Sequence, residues 1–177
     1  MDPAYLERFA GVGRLYGLAG LERLSRSGFL IVGLGGVGSW TAEALARSGV
    51  GHLALVDGDA VCISNTNRQL HAVAGAEGQA KTEAVAARAR SINPGIQTTL
   101  HTRFLSRFNP HEVLTGFEGV VIDAMDSLSP KCEFLLRHTP GNLWCHKFLH
   151  MRIGDSLAHH LAQARTNEPQ LLVPSAH

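Results

Sequence analysis

Four glycines and a scatter of charged and amide side chains downstream of them carry the chemistry that this sequence could do. Gly33, Gly35, Gly36 and Gly38 stand in the run Gly33-Leu34-Gly35-Gly36-Val37-Gly38. Glycines at that spacing let a backbone turn tightly and approach a phosphate chain, and a helix opening behind them aims unpaired N–H groups at it. Asp57 closes the next apolar run, where a carboxylate can accept hydrogen bonds from ribose hydroxyls. The polar loop Gly58 to His71 follows, rich in hydroxyls and amides and holding one guanidinium, Arg68. Arg68 would fork onto phosphate oxygens or, alternatively, form a surface ion pair. Lys81 sits in the first turn of the next helical stretch, against the macrodipole, a placement more easily explained by an anion than by helix stability. Asp123 and Asp126 end a later apolar run and suit a magnesium ion or a polar ligand, Asp126 being equally suited to cap a helix.

The elements that must position these groups read as a βαβ pattern. Phe29-Leu30-Ile31-Val32 is too short for a helix and is bounded by glycines, which predicts a buried parallel strand. A helix over Ser39 to Arg47 and a second strand, Leu53 to Val56, complete the unit. Before it, residues 4 to 26 predict a short helix, a glycine-rich link and a second helix on the sheet edge. After the polar loop come a helix over Glu77 to Ile92 stopped by Asn93-Pro94-Gly95, a strand over Ile96 to His101 toward the sheet edge, and a short helix from Pro110 through Leu114. A fourth buried strand, Gly119 to Ile122, delivers Asp123, and a helix begins near Ser129. The fold class expected is α/β: an open, mainly parallel Rossmann-like sheet with helices on both faces.

Length and composition set the bounds. At 177 residues the chain is one ordinary domain with room for a core. A net charge of +1 and 18% charged residues give no polyelectrolyte surface that by itself argues for nucleic acid or membrane. The polar start Met1-Asp2-Pro3 leads into no apolar leader, and no run approaches a membrane span. Cys62, Cys132 and Cys145 are widely spaced with no C-x-x-C pair, which disfavours a disulfide framework or structural zinc and fits a reducing cytoplasm. Six of the ten histidines fall in the tail, at spacings that fit no coherent metal-ligand set.

The motifs taken together resemble the ubiquitin-activating-enzyme-like family of ATP-dependent adenylating proteins, which includes the activators of thiamine and molybdopterin sulfur carriers. The resemblance is carried by Arg8-Phe9 with Arg14-Leu15-Tyr16-Gly17, by Gly33 to Trp40, by the D-x-D of Asp57 and Asp59, by Val61 to Ala72 with its Ser64-Asn65-Thr66-Asn67-Arg68-Gln69, and by Asp123 to Lys131. It covers about residues 6 to 136. The branch most similar dehydrates threonylcarbamoyladenosine in tRNA.

That resemblance implies ATP and Mg2+ as cofactors, a modified adenosine of tRNA as the substrate, a homodimer, and a sulfur-transfer protein as a further partner. By position, Gly33, Gly35, Gly36 and Gly38 would hold phosphates, and Asp57 the ribose, with Asp59 beside it. Ser64, Asn65, Arg68 and Lys81 would line the triphosphate, and Asp126 would lie by the metal or the α-phosphate. Arg14 matches the family's N-terminal arginine, which reaches the ATP site of a dimer partner; Arg8 is its rival for that match. The implied reaction is adenylation of a carboxylate followed by intramolecular displacement by a ureido group. That closure requires no enzyme nucleophile, which agrees with Cys62 and Cys132 having no activating base beside them. Activation of a sulfur-carrier or ubiquitin-like C-terminus, or a non-catalytic nucleotide-binding remnant, are the alternatives.

The family pattern stops near Arg137. A further apolar strand and a G-G-A-G-G segment are expected there, and the chain instead reads Thr139-Pro140-Gly141-Asn142-Leu143-Trp144-Cys145-His146. The expectation is an ATP-binding unit over 1–136 and a divergent 137–177 tail, out of frame or truncated, with one helix around Ser156 to Ala164 and disorder from Asn167. The fourth strand would then be an open sheet edge, an aggregation risk unless dimerisation or the tail covers it.

Overall fold

The computed structural model describes residues 1–105, 110–126 and 145–147. Its elements run α1 (Pro3–Arg8), α2 (Ala10–Arg26), β1 (Gly28–Val32), α3 (Gly36–Arg47), β2 (His52–Val56), α4 (Lys81–Ile92), β3 (Gln97–His101), α5 (Pro110–Leu114), β4 (Val120–Asp123) and β5 (Cys145–Lys147). The five strands form one sheet in the order β3-β2-β1-β4-β5, every pair parallel. This is the open parallel α/β sheet that the apolar runs predict. Because a strand's side chains alternate, each central strand feeds two cores. Ile31, Leu53, Leu55 and Ile122 pack under α3 and α4 with Leu34, Ala42, Ala46, Val85 and Ala89. Leu30, Val32, Ala54, Val56 and Val121 face the other way, onto Leu105 and Val113 of α5.

Several boundaries differ from those the sequence suggests, each for a physical reason. The N-terminal stretch has no glycine-rich link. Only Phe9 separates α1 from α2, and the break falls inside α2 at Gly17, where φ is 74°. Phe9 is buried, its ring 4.7 Å from that of Tyr5 and tilted 55° to it. Both pack against Gly49, whose own φ of 80° and close neighbours exclude a side chain. Helix α3 starts at Gly36, not Ser39, so two glycines of the loop lie in its first turn. Helix α4 starts at Lys81, not Glu77. The residues before it are held by a bridge between Ala60 and Ala80 and by Gly75 and Gly78, both at positive φ.

Of the alternatives left open for the far side of β4, the structure shows coverage by the tail. Cys145, His146 and Lys147 pair in parallel with Val121, Ile122 and Asp123, so β4 is internal and a three-residue strand of the tail covers its edge. The predicted helix from Ser129, the helix around Ser156 to Ala164, the disordered end and the tail histidine side chains lie outside the described residues. Among the described residues, no helix is long and apolar enough to cross a membrane.

Helices α3 and α4 are clamped by a charged triad as well as by the core. Glu43, only 7% exposed, accepts Arg88 Nε and Nη2, each at 2.9 Å, and Arg47 Nε at 2.8 Å. The Arg88 guanidinium, more than burial opposes it, holds the Glu43 carboxyl below the usual carboxylate range. A folded-state pKa below the unfolded one contributes stability that is present above the ordinary carboxylate value and lost as pH falls through the lowered one. Glu43→Gln is therefore expected to lose about 2 kcal/mol at pH 7 by urea unfolding, with the gap to wild type closing once pH falls below the lowered value.

Candidate active site

The carboxyl ends of β1, β2 and β4 surround the point where the chain crosses from one side of the sheet to the other, and a cleft opens there. It measures about 650 Å³ and is lined by Gly33, Gly35, Gly36, Asp57, Asp59, Asn65, Arg68, Lys81 and Asp126 among others. The end of β1 is pinned on both sides: Gly33 N donates to Val56 O at 2.8 Å and Ala124 N to Val32 O at 2.9 Å. From this turn α3 departs so closely that a Cβ on Gly38 would lie 1.8 Å from Gly33 O. Gly35, by contrast, has nothing within 4 Å of its Cβ position, and its open side faces the cleft. The glycines thus divide: Gly38 serves the packing of helix on strand, and Gly35 leaves room.

Asp57 is aimed by its surroundings. Its Oδ2 accepts Leu34 N at 2.7 Å and its Oδ1 accepts Asp59 N at 2.8 Å, which fixes the carboxylate and leaves a lone pair on each oxygen. Lys81 is buried to 5% exposure, and its Nζ donates to Asp59 Oδ2 at 2.9 Å while its backbone N donates to Asp59 O at 3.1 Å. The anion that the position of Lys81 calls for is, in the protein alone, Asp59. Arg68 lies on the opposite wall. Its Nη1 donates to Ser64 O at 3.1 Å and Asn67 Oδ1 at 2.9 Å, and its carbonyl accepts Trp40 Nε1 at 3.2 Å. Buried Ser39 ties the loop to α3, its Oγ accepting Leu70 N at 3.2 Å.

Other expected residues stand elsewhere. Asn65 lines the cleft but spends its Oδ1 on Cys62 N at 3.2 Å, closing a single 3-10 turn over Ile63–Asn65. Ser64 is on the exposed side of that turn and does not line the cleft. Asp123 and Asp126 do not act as a pair: Asp123 is fully buried with Oδ1 accepting Met125 N at 3.0 Å, and Asp126 alone is exposed to the cleft. The described residues contain no cluster of three His, Cys, Asp or Glu able to hold a metal. Arg8 is committed to the end of α4, its Nη1 donating to Ile92 O at 3.2 Å. Arg14 is exposed on α2, outside this chain's own cleft.

The comparisons with known proteins agree with this architecture. The profile of the ThiF family matches residues 8–138. The chain belongs to the ThiF family. It is 44% identical over 135 residues to the tRNA threonylcarbamoyladenosine dehydratase of Escherichia coli, covering 76% of this chain and 50% of that one. A crystal structure of the E. coli dehydratase, TcdA, in complex with ATP superposes with a TM-score of 0.77 at 41% identity, over 81% of this chain and 60% of that chain. The Drosophila grimshawi adenylyltransferase and sulfurtransferase MOCS3 is 39% identical over 117 residues, 66% of this chain and 26% of its own length. The chain spans about half the length of the curated dehydratases that it matches.

In this ThiF-family chain, sequence reasoning missed the residues that finish the cleft. Arg103, Phe104 and Leu105 follow β3 and form its outer wall, with Phe104 66% exposed and packed on Gly58. Arg103 is braced by Glu112 of α5. The one signal in the sequence was an arginine and an aromatic just past the carboxyl end of a predicted strand. Gln69, in the lining, and His71, buried but outside it, were less readable, since both sit inside a polar run. They are 7% and 5% exposed, and burial, reinforced by the Lys81 charge and opposed by Asp57, lowers the His71 pKa and keeps the ring neutral. Thermal unfolding will separate the glycines: Gly38→Ala is expected to lose several kcal/mol or fail to fold, because backbone meets backbone, whereas Gly35→Ala stays within about 0.5 kcal/mol of wild type.

Proposed function

We propose that this chain binds Mg-ATP in the cleft and adenylates a carboxylate, that of threonylcarbamoyladenosine in tRNA, with ring closure and net loss of water as the outcome. One observation carries the reading: Asp57, Arg68, Lys81, Asp126 and the opening of α3 converge on one cleft in a chain 44% identical to the E. coli dehydratase. The crystal structures of that relative with ATP and with AMP support the same nucleotide here.

The chemistry follows from charge. A carboxylate oxygen of the acceptor attacks the α-phosphorus, the bond to the β-bridging oxygen breaks, and pyrophosphate leaves with the electron pair. The obstacle is anion meeting anion, and preorganised positive charge lowers it. The first turn of α3 offers backbone N–H groups to the phosphates, Arg68 its uncommitted N–H donors, and Lys81 an ammonium that exchanges Asp59 for phosphate. Asp57 holds the ribose. A magnesium ion would neutralise and align the phosphates. Asp126, exposed in the cleft, would hold it, and Asp59 is at hand once Lys81 has exchanged it for phosphate, which suits an ion that usually takes one or two carboxylates with phosphates and water. The ureido group of the same nucleoside then displaces AMP, which carries away the oxygen that is lost as water.

A second copy belongs to this reading. Leu15, Tyr16 and Leu18 are 72%, 64% and 67% exposed around Arg14, an apolar surface that a homodimer would cover while Arg14 reached the partner's cleft. The location that suits a tRNA-modifying enzyme is the cytoplasm. The second reading, activation of a sulfur-carrier C-terminus with a sulfur-transfer partner, is favoured by the MOCS3 similarity alone.

Pyrophosphate release in the presence of modified tRNA, of a sulfur-carrier protein, or of neither decides between the two. We expect release with tRNA only; release with the carrier only would reverse the assignment. Arg68→Ala and Lys81→Ala are each expected to lower adenylation about a hundredfold, with unfolding midpoints near wild type. Unchanged rates in both would remove these residues from the site.

A further inference from the structure

We propose that a second cleft, walled by Arg8, Arg47 and Arg88, seats the phosphodiester backbone of the RNA substrate. The proposal deepens the tRNA reading and rests on it. This cleft, about 390 Å³, lies between α1, α3 and α4 and is completed by Phe9, Ser91 and Ile92. It is separate from the nucleotide cleft: Arg47 ends the helix that Gly36 begins, about 17 Å away along its axis.

Three guanidiniums line this cleft, and among the described residues the one carboxylate paired with any of them is Glu43, 7% exposed and bonded to Arg47 and Arg88. Its charge leaves an excess of two positive charges facing solvent, since the Arg47 and Arg88 side chains are 58% and 47% exposed. Glu43 also fixes the donors. Arg88 is held through Nε and Nη2, and Arg47 likewise, which leaves Nη1 of each uncommitted among the described residues. Arg8 is held through one Nη1 bond to Ile92 O, with Nε and Nη2 uncommitted. Arginines already held in place lose little further entropy when they accept a phosphate, and their planar forks match phosphate oxygens.

Helix polarity explains part of this grouping, because Arg8 and Arg47 lie at the C-terminal ends of α1 and α3. It does not explain Arg88, which stands a turn before the end of α4, nor why Arg47 and Arg88 share one carboxylate with Arg8 lining the same cleft. A polyanion with regularly spaced charges satisfies all three at once. An RNA backbone lying there would run outside α3 and α4 while its modified base reached the cleft at the other end of α3.

The test is equilibrium binding of an unmodified tRNA transcript to the full chain at several salt concentrations, with Arg8→Gln/Arg47→Gln against wild type, Arg23→Gln as a surface control and Arg8→Lys/Arg47→Lys as the charge-preserving variant. The expected result is about a tenfold weaker affinity for the glutamine variant, a log–log salt slope smaller by about 2, and recovery of most of both by the lysine variant. ATP binding should be unchanged in all. Equal RNA affinity and slope in wild type and the glutamine variant overturns the proposal, as does failure of wild type to bind RNA at low salt. Poly-glutamate binding with the same arginine dependence and greater affinity would assign the cleft to an acidic protein surface instead. If pyrophosphate release answers to a carrier protein and not to tRNA, the reading of function fails separately, and RNA binding still judges the cleft.

Discussion

The contact on which this structure depends is the approach of one backbone to another at the end of β1. Gly33 turns at φ 89° between β2 and β4, and Gly38 passes so near its carbonyl that no side chain fits. Were α3 displaced by even one methyl group, its first turn would move away from the crossing point, and the N–H groups there would no longer face the same space as Asp57. The hydrogen bond from Leu34 N to Asp57 couples the two directly: the turn that launches the helix also aims the carboxylate. The 62–72 loop depends on the same placement, since Arg68 packs on Gly36 and Leu70 N bonds to Ser39. Position of helix, carboxylate and guanidinium is one constraint, met three times.

The cleft is also balanced electrostatically. A buried ammonium left unpaired would be costly, and in the protein alone Lys81 avoids that cost through Asp59, which is half exposed. An exposed partner is one that another anion can replace without leaving a buried carboxylate stranded. His71, neutral at physiological pH, adds no further positive charge near Lys81. The arrangement keeps a cation at the floor of the cleft and lets its counter-ion be exchanged, which is what a site for a polyanionic ligand requires.

Much of this was legible in the sequence because the central strands have no choice. A parallel strand covered on both faces must be continuously apolar, and Phe29 to Val32, Leu53 to Val56 and Val120 to Ile122 all are. Helix starts were less legible, since Gly36 and Gly38 are poor helix formers that tertiary packing nonetheless places inside α3. The start of α4 was hidden because its preceding turn is built from a bridge to Ala60, a contact with no local signal. Strand β5 lay in a stretch without an apolar run; three residues bonded to an existing edge need no hydrophobic pattern of their own. Spacing could not distinguish Asp123 from Asp126 either. The first ends the strand buried and organises the turn, and the second reaches the cleft only because that turn is made. For Arg8 the deciding partner, Ile92 O, lies far along the chain.

Composition misleads in a related way. A net charge of +1 is an average over the chain, and it gave no reason to look for a polyanion-binding face. Residues 8, 47 and 88 are remote in sequence, so no window along the chain registers them as basic. The fold brings them together because α1 crosses the ends of α3 and α4, with Phe9 buried at the junction. Local charge density, not the total, sets the field that a ligand meets within a Debye length of about 8–10 Å. A nearly neutral protein can therefore carry a charge-balanced cleft, with Asp57, Asp59 and Asp126 facing Arg68, Lys81 and Arg103, at one end of a helix and an arginine-walled cleft at the other. At one end lies the cleft at the glycine turn, where the counter-ion of Lys81 is exposed; at the other lies the arginine cleft, where a carboxylate holds two of the guanidiniums in place.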